Sequence, residues 1–109
     1  MKSIRETDIQ KAVCDYLAYK GYFFWRSNNI PAFQSDKYGS RFRAMPKYSM
    51  NGIADIIVIM DGGQAIFIEV KRPGGIQSFS QKQFENKCKE KGAKYYVLTD
   101  INQLKEIGL

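Results

Sequence analysis

Two apolar runs in the middle of the chain, residues 53–60 and 64–71, flank the tripeptide Asp61-Gly62-Gly63. Their β-branched side chains mark each run as a strand, and the glycine-rich break marks the pair as a hairpin. Loop length then dictates the facing. In an antiparallel pair the numbers of opposed residues sum to a constant, and a three-residue loop sets that constant at 124. Asp55 and Glu69 are then directly opposed, about 5 Å apart at Cβ. Lys71, two residues beyond Glu69, projects from the same face, which Ile57 and Ile59 share. A two-residue Gly62-Gly63 loop would throw Glu69 to the other face. Asp-Gly-Gly suits the longer turn, which wants a glycine in the left-handed region.

Two opposed carboxylates in a half-buried sheet repel one another unless a cation lies between them. Oxygen ligands favour a hard ion, Mg²⁺ or Mn²⁺, over zinc. Such an ion activates water and clamps a phosphate oxygen, and a neighbouring lysine orients the water or neutralises growing charge. The competing reading is a surface ion pair of Lys71 with Glu69 or Asp55 on a solvated face. The chain has no histidine, which excludes Ser-His-Asp triads, histidine nucleophiles, HNH-type nucleases and His-ligated zinc. Cys14 and Cys88 are too few for a disulfide framework or a zinc cage. Hydrolytic chemistry is left to carboxylates, lysine, tyrosine or a bound metal.

At 109 residues the expectation is one domain, 1–109, with a modest core. Ile9, Val13, Tyr16 and Leu17 follow helical spacing over residues 4–20, and Gly21 stops the helix. Tyr22 to Arg26, "YFFWR", reads as a strand. From Ser27 to Met50 no periodicity survives, and so long a loop in so small a domain is usually functional. After the hairpin, a helix is expected over residues 79–91 with Gly92 as its stop, then a strand in "KYYVLT" and a short helix in "INQLKEIG". The order αβββαβ points to an α/β fold, a mixed central sheet flanked by helices. No run approaches the length of a membrane span, and MKSIRETD is not a signal peptide. The expected setting is the cytoplasm of a bacterial or phage-infected cell, with no membrane partner.

"GIADIIVI" and "FIEVKRPGG" resemble the split motif of the PD-(D/E)xK nucleases, with Asp55 as the first acid and Glu69-Val70-Lys71 as E-x-K. More narrowly, the chain resembles the VRR-NUC family of virus-type replication and repair nucleases. The likeness extends through "ETDIQKAVCDYLAYKG", "WRSNN", "SFSQKQFENKCKEKGA" and "YYVLTDINQL". One departure is Ala54, where the motif carries a proline. The resemblance implies a restriction-endonuclease-like core, a divalent ion held by Asp55, Glu69 and the Val70 carbonyl, and a catalytic Lys71. It also implies an accessory acid on the first helix, matching Glu6, and a glutamine on the second, matching Gln81. Both have a rival explanation, because Ser3-x-x-Glu6 and Ser78-x-x-Gln81 read as capping boxes, while Ser80-x-x-Gln83 offers another register. Gln10, one turn after Glu6, suits either role.

The net charge of +6 suggests an acidic partner. Most of it lies between Arg26 and Met50, where Arg26, Lys37, Arg41, Arg43 and Lys47 face a single acid, Asp36. Phe33, Tyr38, Phe42 and Tyr48 are interleaved, a composition suited to phosphates and unpaired bases. Asn28 and Asn29 follow the first strand and are candidates for phosphate contact or for orienting the site. The alternative is a solvated loop whose aromatics pack on the core or on a second subunit. Together these readings give the expectation of a metal-dependent DNA endonuclease. By resemblance it acts on four-way or other branched DNA as a homodimer. A same-fold nuclease of linear or nicked duplex and a non-catalytic DNA-binding or assembly module are the alternatives.

Overall fold

The structure is a computed structural model that describes residues 4–27 and 47–109 in full and residues 33–36 and 39–42 as backbone. Its sheet is built outward from the Asp61-Gly62-Gly63 loop. Met60 N–H donates to the Gln64 carbonyl at 2.9 Å, and Gly62 and Gly63 both take left-handed φ, 87° and 88°. The loop therefore has three residues. It joins Ile56–Ile59 to Ala65–Val70 with Ile59 opposite Ala65 and Ile56 opposite Ile68. This is the expected register.

The helix Glu6–Lys20 (α1) and strand Phe23–Arg26 (β1) precede two short strands, Phe33–Asp36 (β2) and Gly39–Phe42 (β3). The hairpin strands are β4 (Ile56–Ile59) and β5 (Ala65–Val70). Then come α2 (Phe79–Glu90), β6 (Lys94–Leu98) and α3 (Gln103–Glu106). β1, β4 and β5 are antiparallel, β6 adds in parallel through the α2 crossover, and the order is β1-β4-β5-β6. The αβββαβ core and mixed sheet are as expected. Residues 27–50 differ: they hold an antiparallel hairpin of their own, β2 with β3, where a structureless loop was expected. "FQSD" and "GSRF" lack alternating apolar residues, so backbone pairing there has no hydrophobic pattern to announce it.

The period-2 pleat sorts β5 between two cores. Ile66, Ile68 and Val70 join Ile56, Val58 and Leu98 beneath Ile9, Val13 and Leu17 of α1. The odd positions face α2, where Phe67 meets Phe84 edge-on at 5.3 Å and Ala54, Cys88 and Tyr95 complete a smaller cluster. Glu69 belongs by parity to this second face. Its carboxylate is thus directed at α2, and it is the buried charged side chain of the described core.

Candidate active site

β4 and β5 diverge at the end of the ladder farthest from the loop. Lys71 N–H donates to the Leu98 carbonyl at 2.9 Å, so β5 is still committed to β6 there. Backbone groups alternate in direction along a strand, so Val70 N–H points the other way, towards β4, which has already begun to leave. Asp55 fills the gap. Its Oδ2 accepts from Val70 N–H at 2.8 Å, and its carbonyl accepts from Ser27 N–H at 2.9 Å. Ser27 Oγ donates to the Ala54 carbonyl, which fastens the end of β1 to the same corner. Asp55 therefore stands at the fraying end of the ladder, with one oxygen engaged and its carboxylate beside Glu69.

A cavity of about 350 Å³ opens at this corner, between the first turns of α1 and α2. Glu6, Thr7 and Gln10 line it from α1, Arg26 and Ser27 from the end of β1, Asp55 from the entry to β4, Glu69, Val70 and Lys71 from β5, and Gln81 from α2. Lys71 Nζ lies 3.9 Å from Glu6 Oε1 and 4.0 Å from Glu69 Oε1, with the lysine side chain only 13% exposed. Glu69 is 2% exposed, and its Oε2 has no hydrogen-bond partner among the described residues. Burial pushes its carboxyl up to about 8, assisted by the neighbouring Asp55 carboxylate and by Glu6, with Lys71 opposing.

Gln81 resolves the competition between cap and site by occupying both roles. Ser78 is the N-cap of α2; its hydroxyl accepts from Gln81 N–H at 3.2 Å, and Gln81 Oε1 accepts from Ser78 N–H at 2.8 Å. The same amide's Nε2 donates to Glu69 Oε1 at 2.9 Å. A primary amide can accept at one end and donate at the other, whereas a glutamate here could not donate while ionised. Gln81→Ala removes both bonds and is expected to destabilise the fold by about 1–2 kcal/mol, read from the urea midpoint of the metal-free protein. Glu6 has a different outcome. The N-cap of α1 is Arg5, so Glu6 is the first helical residue and is not placed for a capping box, and its side chain turns to Lys71. Ser3, the other half of that box, lies outside the described residues.

The corner thus gathers Glu6, Asp55, Glu69, Val70, Lys71 and Gln81, and it adds Arg26, whose Nη2 donates to Gln10 Oε1 at 2.6 Å. Thr7 and Ser27 also line the cavity without having stood out in the sequence; each is a small polar residue beside a recognised one, which is a weak signal. Lys47 is described away from this corner, with its ammonium 5.1 Å from the ring of Tyr48. Asn28, Asn29, Lys37, Tyr38 and Arg43 lie outside the described residues, as do the side chains of Phe33, Arg41 and Phe42.

Among the described residues no three Asp, Glu, Cys or His side chains form a ready cluster for a metal. The donor set nonetheless fits a hard divalent ion. It offers a buried and a half-buried carboxylate, the buried one with an oxygen unpartnered among the described residues, and an adjoining carbonyl, which would leave positions for water and phosphate as Mg²⁺ prefers.

Among the described residues no helix is long and apolar enough to cross a membrane. Neither protein-family models nor curated proteins match this sequence. A solved structure described as a VRR_NUC domain superimposes with a TM-score of 0.66 at 17% identity, over 94% of this chain and 91% of that one. The αβββαβ core with its mixed four-stranded sheet is accordingly the fold of a VRR_NUC domain.

Proposed function

We propose that this chain is a single-domain nuclease of the VRR-NUC family that hydrolyses phosphodiester bonds in DNA with the help of Mg²⁺ or Mn²⁺. One observation carries the reading: Glu69 is buried with an oxygen that no described residue satisfies, beside a second carboxylate and a lysine, in a cavity open to a ligand. An unpaired buried carboxylate oxygen is costly, and a cation is the partner that relieves it.

Asp55, Glu69 and the Val70 carbonyl are the groups that would hold the ion, which when bound supplies Lewis-acid charge to a phosphate oxygen and to the attacking water. Gln81 keeps Glu69 Oε1 in place, and Oε2 would be free to hold the ion. Lys71 is steered by Glu6 and Glu69. Its ammonium holds the attacking water or neutralises the charge that develops on the phosphate. No side chain in this scheme becomes covalently attached to the DNA. The basic segment that begins at Arg26 would track the DNA backbone.

Action on four-way junctions and pairing into a homodimer belong to this proposal as well, since symmetric cleavage of a junction needs two related sites. The test is cleavage of a labelled four-way junction beside linear duplex, in Mg²⁺, in Mn²⁺ and in chelator. Cutting is expected only with metal, and Lys71→Ala is expected to lower it by about 10²-fold or more. Equal cutting of both DNAs removes the branch preference. Binding without cleavage under every condition replaces the nuclease with a DNA-binding module.

A further inference from the structure

Among the described residues two cations reach the cavity, Arg26 and Lys71, and their surroundings differ. Lys71 stands between Glu6 and Glu69, so its charge is matched by the acids that orient it. Arg26 has no acid within 4 Å among the described residues and is held by a neutral amide, Gln10 Oε1. β1 places Arg26 opposite Ile56, one residue from Asp55, on the face covered by α1. Gln10 stands one helical turn after Glu6 and so shares its side of α1. A glutamate at position 10 would grip the guanidinium more strongly if the pair served only to tie α1 to β1. A glutamine orients it without spending its charge.

Resting on the nuclease reading above, we propose that Arg26 is a catalytic residue that takes the phosphate being cut, and that Gln10 is the positioning residue that aims it. The guanidinium keeps most of its five N–H donors after bonding Gln10, in a planar fork suited to two oxygens of one phosphate. It would approach from the α1 side of the sheet end, while Asp55 and Glu69 address the same group from the β4–β5 ladder. Charge that grows on the phosphate then meets an unmatched cation. This places Arg26 in the chemistry itself and separates it from the rest of the basic segment, whose task is to track the backbone.

The test compares wild type with Arg26→Ala, Arg26→Lys, Gln10→Ala and Gln10→Glu. Single-turnover cleavage is followed at saturating DNA, affinity for uncut DNA is measured in chelator, and melting confirms folding. Arg26→Ala is expected to lose roughly 10²-fold in rate and less than about threefold in affinity, since only one phosphate contact is removed. Arg26→Lys should recover little, because an ammonium lacks the fork. Gln10→Glu is the decisive variant: it should melt no lower than wild type yet cut more slowly than Gln10→Ala, since it neutralises the cation it holds. Arg26→Ala at wild-type rate, Gln10→Glu cutting as fast as wild type, or a loss confined to affinity would each overturn the assignment. A wild-type chain that cuts no DNA overturns the nuclease reading and this one with it.

Discussion

Glu69→Gln is expected to abolish metal-dependent cleavage, by about 10²-fold or more, while making the metal-free protein more stable. The two effects have one origin. Glu69 is buried to 2% exposure and its Oε2 is unpartnered among the described residues. Burial, Asp55 and Glu6 push its carboxyl up to about 8, against the opposing pull of Lys71. In the unfolded chain the same group titrates near the ordinary glutamate value, about 4.3. Folding at neutral pH therefore takes up a proton or buries a charge, and either costs a few kcal/mol. A neutral amide at position 69 avoids that cost, can still accept from Gln81 Nε2, and can donate to Asp55.

The sign of the pH dependence follows from the raised value. Stability associated with Glu69 is fully present below its unfolded pKa, declines as pH rises towards about 8, and is flat beyond it. Melting curves of metal-free wild type should therefore fall across pH 5 to 8, and Glu69→Gln should lack that part of the slope. Added Mg²⁺ should raise the wild-type melting temperature most above pH 8, where the carboxylate is already ionised, and should leave Glu69→Gln unmoved. A melting temperature for Glu69→Gln below that of wild type at pH 8 would mean that the carboxylate is satisfied without a metal.

How far the site could be read beforehand depends on which interactions are local. The hairpin register was legible because it follows from a loop length, and Asp61-Gly62-Gly63 admits few geometries; Ile59 does face Ala65 as the constant of 124 requires. The parity of Glu69 came with it. What arithmetic along one hairpin cannot show is that the ladder ends at Ile56, so that Asp55 leaves it to accept from Val70 N–H. That depends on β6 drawing β5 the other way. Gln81 is ambiguous in the sequence because its spacing from Ser78 suits a cap as well as a site residue, and the two ends of one amide reconcile the roles. Arg26 was legible as basic but not as a member of the cavity, since its partner Gln10 is sixteen residues away on another element.

Gly52 is the residue whose importance only the folded chain reveals, and its substitution gives the second large effect. It takes φ of +77°, and a Cβ built there would lie 2.4 Å from the Ser80 carbonyl oxygen and 2.7 Å from Gln81 N. Both atoms are backbone in the first turn of α2, so no side chain can swing aside. Gly52→Ala must either move the segment that leads to Asp55 or lift the start of α2, and Gln81 with it, off Glu69. Strain at the left-handed φ costs about 1–2 kcal/mol, and overpacking adds about 1–3. The melting temperature is expected to fall by roughly 10–20 °C. Cleavage by protein that remains folded at a lower temperature should fall about tenfold or more, as expected when a misplacement disturbs a site. Gly21→Ala is the internal comparison: its φ is +81°, but no atom of the described residues lies within 4 Å of the added methyl. It should show the backbone strain alone and keep full activity. Equal losses of stability in the two variants, with activity intact in both, would mean that Gly52 serves its own backbone angle and that α2 does not need the close approach to hold Gln81 on Glu69.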